Sequence, residues 1–215
     1  MIQIKQFTFN PFMENTYVLF DETNEAVIID PGCYESYEQQ ELVEFIASEG
    51  LKVKLLLNTH GHIDHVLGNS FVKRHFCVAL TIGEHDLETL KSVEVYASNY
   101  GFQKYEPATA DAFLKDGDVV KFGNSELAVW FTPGHAKGHI VFVNEDQNIC
   151  IGGDVLFDGS IGRTDLPGGD FDTLIKSIHT KLFQFANEMT VYPGHGGPTT
   201  IGKEKRTNPF CAIKQ

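Results

Sequence analysis

No stretch of the 215 residues approaches the ~18 consecutive apolar positions that a membrane-spanning helix requires. The opening MIQIKQFTFN also lacks the charged head and apolar block of a secretory leader. The cytoplasm is therefore the expected location, with no membrane partner. Cysteine is scarce: Cys33, Cys77, Cys150 and Cys211 lie far apart and form no C-x-x-C pair, which excludes a zinc ribbon or a dithiol redox motif and leaves reduced, buried thiols. Positive charge is scarce as well, 17 Lys and Arg against 29 Asp and Glu. A formal net charge of −12 without a basic stripe repels phosphate backbones, so nucleic acid is not an expected partner. The acidic count overstates the local field wherever carboxylates hold cations. No linker, low-complexity tract or charge run divides the chain, and a single domain over residues 1–215 is expected, large enough to bury a core without disulfides. The sequence leaves the oligomeric state open.

What is present is an alternation of short strands and helices. IQIKQFTF, NTYVLF and EAVIID are three short apolar segments separated by turn residues at Asn10-Pro11 and Thr23-Asn24, the pattern of an antiparallel meander. Residues 35–49 place Leu42, Phe45 and Ile46 at helical spacing ahead of Gly50. VKLLLNT has no clean alternation and reads as a strand covered on both faces, ending at His60. A helix from about His65 to Arg74, a strand near VALTI and a long helix over 84–98 follow. The second half repeats the theme with VVKF, ELAVWFT, HIVFV and NICIGG, a helix around 171–186 and a last strand near TVY. Each half carries an apolar strand running into Thr and then closely placed histidines, NTHGHIDH in one and FTPGHAKGH in the other.

His-x-His-x-Asp-His at positions 60–65 is the sharpest chemical signal, because three imidazoles and a carboxylate within six residues form a concentrated set of metal ligands. His60 and His62 lie two apart in an extended turn and can point to one side; Asp64 and His65 open the next helix in another direction. One segment can thus serve two neighbouring ions. His135 in TPGHAKGH, Asp154 in GGD and His195 in YPGHGG each follow an apolar strand and stand beside glycines that let backbone approach a crowded centre. Strand ends that converge on one edge are where α/β folds build sites.

With these motifs, and with ENTYVLF, VIIDPG, GGDVLFDGSIGRTDLPGG and TNPF in order between and beyond them, the chain resembles the metallo-β-lactamase superfamily and, within it, the short bacterial glyoxalase II-like hydrolases. The resemblance implies a four-layer αββα sandwich, two mixed sheets face to face with helices outside. It implies that His60, His62 and His135 bind a first metal, Asp64, His65 and His195 a second, and that Asp154 bridges both. A bridging aspartate distinguishes this pattern from true β-lactamases of the fold, so drug hydrolysis is not expected. His62 stands where flavodiiron proteins carry Glu, and the chain has no room for the inserted domains of RNA-processing relatives.

The implied cofactors are two divalent ions, zinc above all, with iron or manganese able to use the same donors. The implied reaction is hydrolysis of a small-molecule thioester such as S-lactoylglutathione by a hydroxide held between the ions, with Asp64 taking up its proton. Arg163 in GSIGRTD matches a basic residue that contacts the glutathione moiety in glyoxalase II, although Asp165 replaces the aromatic residue usual nearby, and an Arg163–Asp165 ion pair is the competing reading. No C-terminal helical glutathione-binding domain is expected, which leaves Lys203, Lys205 and Arg206 as further anchors. The alternatives are a persulfide dioxygenase with a single iron, a lactonase, and a non-catalytic metal-binding protein. Asp30 in VIIDPG either orients a ligand imidazole or simply forms the turn before Pro-Gly. His139 is expected to play a supporting role, and His75, His85 and His179 lie in helices without a functional assignment.

Overall fold

The computed structural model describes residues 1–213. Strands β1 (Gln3–Phe9), β2 (Glu14–Phe20) and β3 (Glu25–Ile29) form the expected antiparallel meander. Helix α1 (Ser36–Ser48) then crosses to β4 (Lys52–Leu57), which lies parallel to β3. Helices α2 (Ile63–Val66) and α3 (Asn69–Phe76), strand β5 (Leu80–Gly83), helix α4 (Leu87–Tyr96) and the short β6 (Ala112–Leu114) complete the first half. Its six strands form one sheet in the order β1-β2-β3-β4-β5-β6, parallel from β3 onward.

The second half builds another six-stranded sheet from β7 (Val119–Phe122), β8 (Ser125–Phe131), β9 (Ile140–Asn144) and β10 (Ile149–Gly153), followed after a small hairpin of β11 (Leu156–Phe157) and β12 (Ser160–Ile161) by α5 (Phe171–Thr180), β13 (Thr190–Pro193), β14 (Thr199–Thr200) and α6 (Ile201–Thr207). Its order is β14-β13-β10-β9-β8-β7, with β13 parallel to β10.

Three apolar layers hold the sandwich together. Between the sheets, Tyr17, Leu19, Val27, Ile29 and Leu57 meet Phe122, Leu127, Val129, Phe142 and Ile151. Leu42 and Ile46 of α1, Val72 of α3 and Leu90 and Val93 of α4 cover the outer face of the first sheet. Leu174 and Ile178 of α5 and Ile201 of α6 cover the second. Each such buried aliphatic side chain contributes about 1.5–3 kcal/mol relative to exposure. The architecture is the αββα sandwich, two mixed sheets with helices outside.

Several elements depart from the pattern read in the sequence. The helix expected from His65 to Arg74 is two helices, because the Gly68 N–H leaves the helical ladder to donate to the Pro31 carbonyl (2.7 Å). The one expected over 84–98 is α4 followed by a 3-10 turn at Ala97–Tyr100, and that around 171–186 is α5 followed by a 3-10 turn at Leu182–Gln184. β4 is covered on both faces only from Leu56; Lys52 and Lys54 are exposed at its start.

One consequence of this topology positions the site. Strands β3, β4, β8, β10 and β13 run the same way within their sheets, so Asp30, Thr59-His60, Thr132, Asp154 and Gly194-His195 leave their carboxyl ends at a common edge.

Candidate metal centre

Asp30 follows β3 with a left-handed backbone (φ 50°), a conformation that costs an L-residue roughly 1–2 kcal/mol and that Asp tolerates better than most. Its carboxylate is buried and accepts from the Thr59 N–H (2.7 Å), the Thr59 hydroxyl (2.6 Å) and Asn58 Nδ2 (3.3 Å), and meets His65 Nδ1 at 3.2 Å. Asp30 therefore does more than form a turn. The Thr59 hydrogen goes to Asp30, so Thr59 Oγ1 accepts from His60 Nδ1 (3.1 Å), and Nε2 of His60 carries a bare lone pair. His135 Nδ1 donates to the Arg163 carbonyl (2.8 Å), which leaves His135 Nε2 bare as well. His195 Nδ1 faces the carbonyls of Phe12 (3.1 Å) and Met13 (3.2 Å). His60, His65, His135 and His195 are thus each turned by a neighbour so that the other nitrogen faces inward, the arrangement that metal-binding histidines adopt.

The inward atoms gather in two groups. His60 Nε2, His62 Nδ1 and His135 Nε2 form the first, with His62 Nδ1 at 2.9 Å and His60 Nε2 at 3.2 Å from His135 Nε2. Asp64, His65 and His195 form the second, with Asp64 Oδ2 at 3.1 Å from His195 Nε2 and 3.6 Å from His65 Nε2. Asp154 stands between them: Oδ1 lies 3.5 Å from His65 Nε2, and Oδ2 lies 3.5 Å from His135 Nε2 and 3.6 Å from His195 Nε2. Seven side chains drawn from four chain segments meet at one point. Gly194 makes the last approach possible, since any Cβ there would occupy the position of the Asp154 carboxylate.

Electrostatics follow from this crowding. Burial, reinforced by neighbouring imidazoles, holds His60 well below the usual histidine range and brings His62 down to about 3. His65 behaves oppositely: burial works against its charge, but the Asp64 and Asp154 carboxylates outweigh it and raise its pKa. Burial likewise works against ionisation of Asp64 and Asp154, and the positive His65 beside them outweighs it, so both stay below the ordinary carboxylate range.

Divalent cations fit this donor set on two observations. His65 Nε2 and Asp154 Oδ1 are buried and have no hydrogen-bond partner, an arrangement that native proteins avoid unless something else satisfies the atoms. In the first group one proton can lie between His62 and His135, but His60 Nε2 then faces His135 Nε2 lone pair to lone pair. A cation relieves both. Asp30, His60 and His65 also cluster, but the Asp30 oxygens are occupied by Thr59, Asn58 and His65 and serve to orient.

His139 is buried and stacks on His60 (4.8 Å between ring centres), and its Nε2 accepts from the Asp154 N–H (3.1 Å), which gives it a supporting place under the centre. Arg163 lies beside the site through its carbonyl, while its guanidinium makes a bidentate pair with Asp165 (both contacts 2.7 Å) at the surface. Lys203 pairs with Asp158, and Lys205 reaches the Phe185 carbonyl (3.1 Å); Arg206 stands in the last turn of α6. His85 and His75 lie against Phe131 and Phe71, and His179 faces the Cys211 carbonyl (2.7 Å).

Sequence reasoning missed four supports. Glu14 is fully buried 3.9 Å from His65 Nδ1. Asn10 Nδ2 donates to the Asp64 carbonyl (3.0 Å), and Asn15 Nδ2 to the carbonyls of Pro193 and Gly196 (3.0 and 2.8 Å). Asp86 is buried between two histidine loops. A buried Asp or Glu in an acidic chain has no local signature, and only the Asn10-Pro11 turn was marked.

Fold and donor set together define a metal-dependent hydrolase, and the chain belongs to the metallo-β-lactamase superfamily, whose pattern it matches over residues 9–195. It is 39% identical over 205 residues to hydroxyacylglutathione hydrolase GloC of Haemophilus influenzae, covering 94% of this chain and 95% of that one. Among solved structures it resembles TTHA1623 in a di-iron-bound form (TM-score 0.85, 33% identity, 96% and 99% of the two chains). It also resembles the B3 metallo-β-lactamase BLEG-1 (TM-score 0.84, 32% identity, 98% and 100%).

Proposed function

We propose that this protein hydrolyses small-molecule thioesters of the 2-hydroxyacyl class, such as S-lactoylglutathione, in the cytoplasm, with two divalent ions, zinc foremost and iron or manganese as alternatives. The observation that carries the reading is the Asp154 carboxylate in reach of both histidine groups, in a chain 39% identical to a hydroxyacylglutathione hydrolase. The cytoplasmic assignment draws on four free cysteines, three of them buried. Among the described residues no helix is long and apolar enough to cross a membrane.

In this reading His60, His62 and His135 would hold one ion, Asp64, His65 and His195 the other, and Asp154 would reach both. Two ions so held supply an acidified water and a Lewis acid for the thioester carbonyl. The chain's own residues do the rest. Asp64, whose Oδ2 meets His195 at 3.1 Å, is the carboxylate that would take the proton of the attacking water. Asp30, Thr59 and the Arg163 carbonyl keep three imidazoles from turning. His195, 28% exposed in its side chain, marks the open side where substrate enters. A cleft of about 560 Å³ lined by Met13, Tyr34, Tyr37, Tyr100 and Phe102, with Glu35, Glu38 and Glu41, contains none of the seven ligands itself; only Met13, whose carbonyl faces His195, relates it to the centre. Arg163 anchors an anionic carrier by exchanging Asp165 for a substrate carboxylate.

Elemental analysis of the purified protein beside turnover of S-lactoylglutathione tests this. The expected result is two ions per chain and release of free thiol. One iron per chain with oxygen consumed on a persulfide substrate overturns the reading in favour of a dioxygenase, and cleavage of a cephalosporin without thioester turnover does so in favour of a lactamase.

A further inference from the structure

Asp86 precedes α4 where a helix-capping Asp is common, yet its side chain accepts from no backbone N–H of its own helix. Both oxygens point elsewhere. Oδ2 accepts from the N–H of Gly61, the residue between His60 and His62, in a short hydrogen bond. Oδ1 accepts from the N–H of Gly138 (3.1 Å), between His135 and His139, and from the Thr89 hydroxyl (2.8 Å), which fixes the carboxylate. Asp86 is 0% exposed. Both glycines allow the loops to pack closely on the start of α4: a Cβ on Gly61 would sit 2.6 Å from the Leu90 nitrogen, and one on Gly138 would collide with the backbone of His85 and Asp86. A single buried carboxylate therefore ties together the two loops that supply the three-histidine group, loops 75 residues apart in sequence. The second group has other supports: Asn10 on the Asp64 carbonyl, Asp30 on His65, and the Phe12 and Met13 carbonyls on His195.

We propose that Asp86 is a positioning residue that sets the spacing of His60 and His62 against His135, and thereby the affinity of that group alone for a divalent ion. The inference rests on the two-ion reading above. Asp86→Asn puts an amide N–H against one of the two glycine N–H groups, so the loops must part there. Supports of this kind govern metal affinity by roughly 10–100-fold.

The test separates the two groups. Zinc affinity is measured by competition with a chromophoric chelator in a His195→Ala chain, which retains the three-histidine group, and in a His62→Ala chain, which retains the other. Asp86→Asn is expected to weaken the ion of the first chain about 10–100-fold and to leave that of the second unchanged. Equal weakening in both, or in neither, overturns the proposal. Leu90→Ala loosens the same helix through packing and serves as control; selective weakening of the same size there makes the effect general destabilisation and also overturns it. In the metal-free wild type, the Gly61 and Gly138 amides are expected to resist hydrogen exchange as well as β4 does, and fast exchange at either refutes the clamp even if the variants do not fold. Absence of zinc binding by the wild-type chain would instead remove the two-ion reading itself.

Discussion

Asp30→Asn gives the sharpest test of how the centre is built. The Asp30 carboxylate accepts from the Thr59 N–H, the Thr59 hydroxyl and Asn58, and faces His65 Nδ1. An amide keeps one acceptor and presents N–H to at least one donor that has no water to turn to, since Asp30 is 1% exposed. A buried donor left unpaired costs about 1–3 kcal/mol, and replacing charge-assisted bonds by neutral ones adds roughly 1 kcal/mol more. The sum of about 2–4 kcal/mol corresponds to a Tm lower by roughly 4–16 °C for a chain of this size. The loss has a chemical signature beyond stability. With the Thr59 hydroxyl free to rotate, His60 is no longer held with Nδ1 as donor, and with Nδ1 of His65 unfixed both groups lose an oriented imidazole. Zinc affinity should fall about 10–100-fold at each. Calorimetry of the metal-free protein and zinc competition in parallel measure the two effects. A variant with wild-type melting and wild-type affinity would refute the claim that Asp30 orients the imidazoles.

Asp154→Ala should lower occupancy at both groups and abolish thioester hydrolysis with the far-UV circular dichroism preserved; full activity in that variant would remove Asp154 from its bridging place. Arg163→Ala should raise KM for an anionic thioester several-fold with kcat within about twofold, since the interaction is made equally in ground and transition states; unchanged kinetics would assign the guanidinium to Asp165 alone. Asp21 offers a pH test away from the centre. Four donors, from Thr23, Asn124 and Ser125, outweigh its burial and bring its carboxyl down to about 2. A depressed folded-state value means stabilisation that is present above the unfolded value near 4 and lost as pH falls toward 2. Asp21→Asn should therefore be less stable than wild type by about 1–2 kcal/mol at neutral pH, after allowance for solvent screening, with the gap closing below pH 4; a gap that holds constant down to pH 2 in urea unfolding would contradict it. Chelator treatment should lower the Tm while leaving a folded chain, by the amount that mass action assigns to bound ions, and added zinc should restore it; a Tm indifferent to chelator would argue against resident metal.

Much of this was readable in the chain. Concentrated donors made the His60–His65 segment conspicuous, because ligand chemistry demands particular residue types at short spacing. His135, Asp154 and His195 were legible for a related reason, each being a chemically distinctive residue among glycines at the end of an apolar strand. Periodicity located the meander and α1, since burial of one face imprints itself on local sequence. The break at Gly68 was not legible, because it depends on a carbonyl of Pro31 that arrives from another strand end.

Residue type and spacing thus determined which side chains can hold cations and which segments can be strands. Tertiary structure decided how those side chains face. Thr59 as the relay between Asp30 and His60, the Arg163 carbonyl under His135, and Asp86 between Gly61 and Gly138 are contacts between segments remote in sequence. Each uses a common residue or a bare backbone group, so it leaves no mark on composition or period. An imidazole offers two nitrogens, and which one carries the proton is set by whatever the folded chain places behind it.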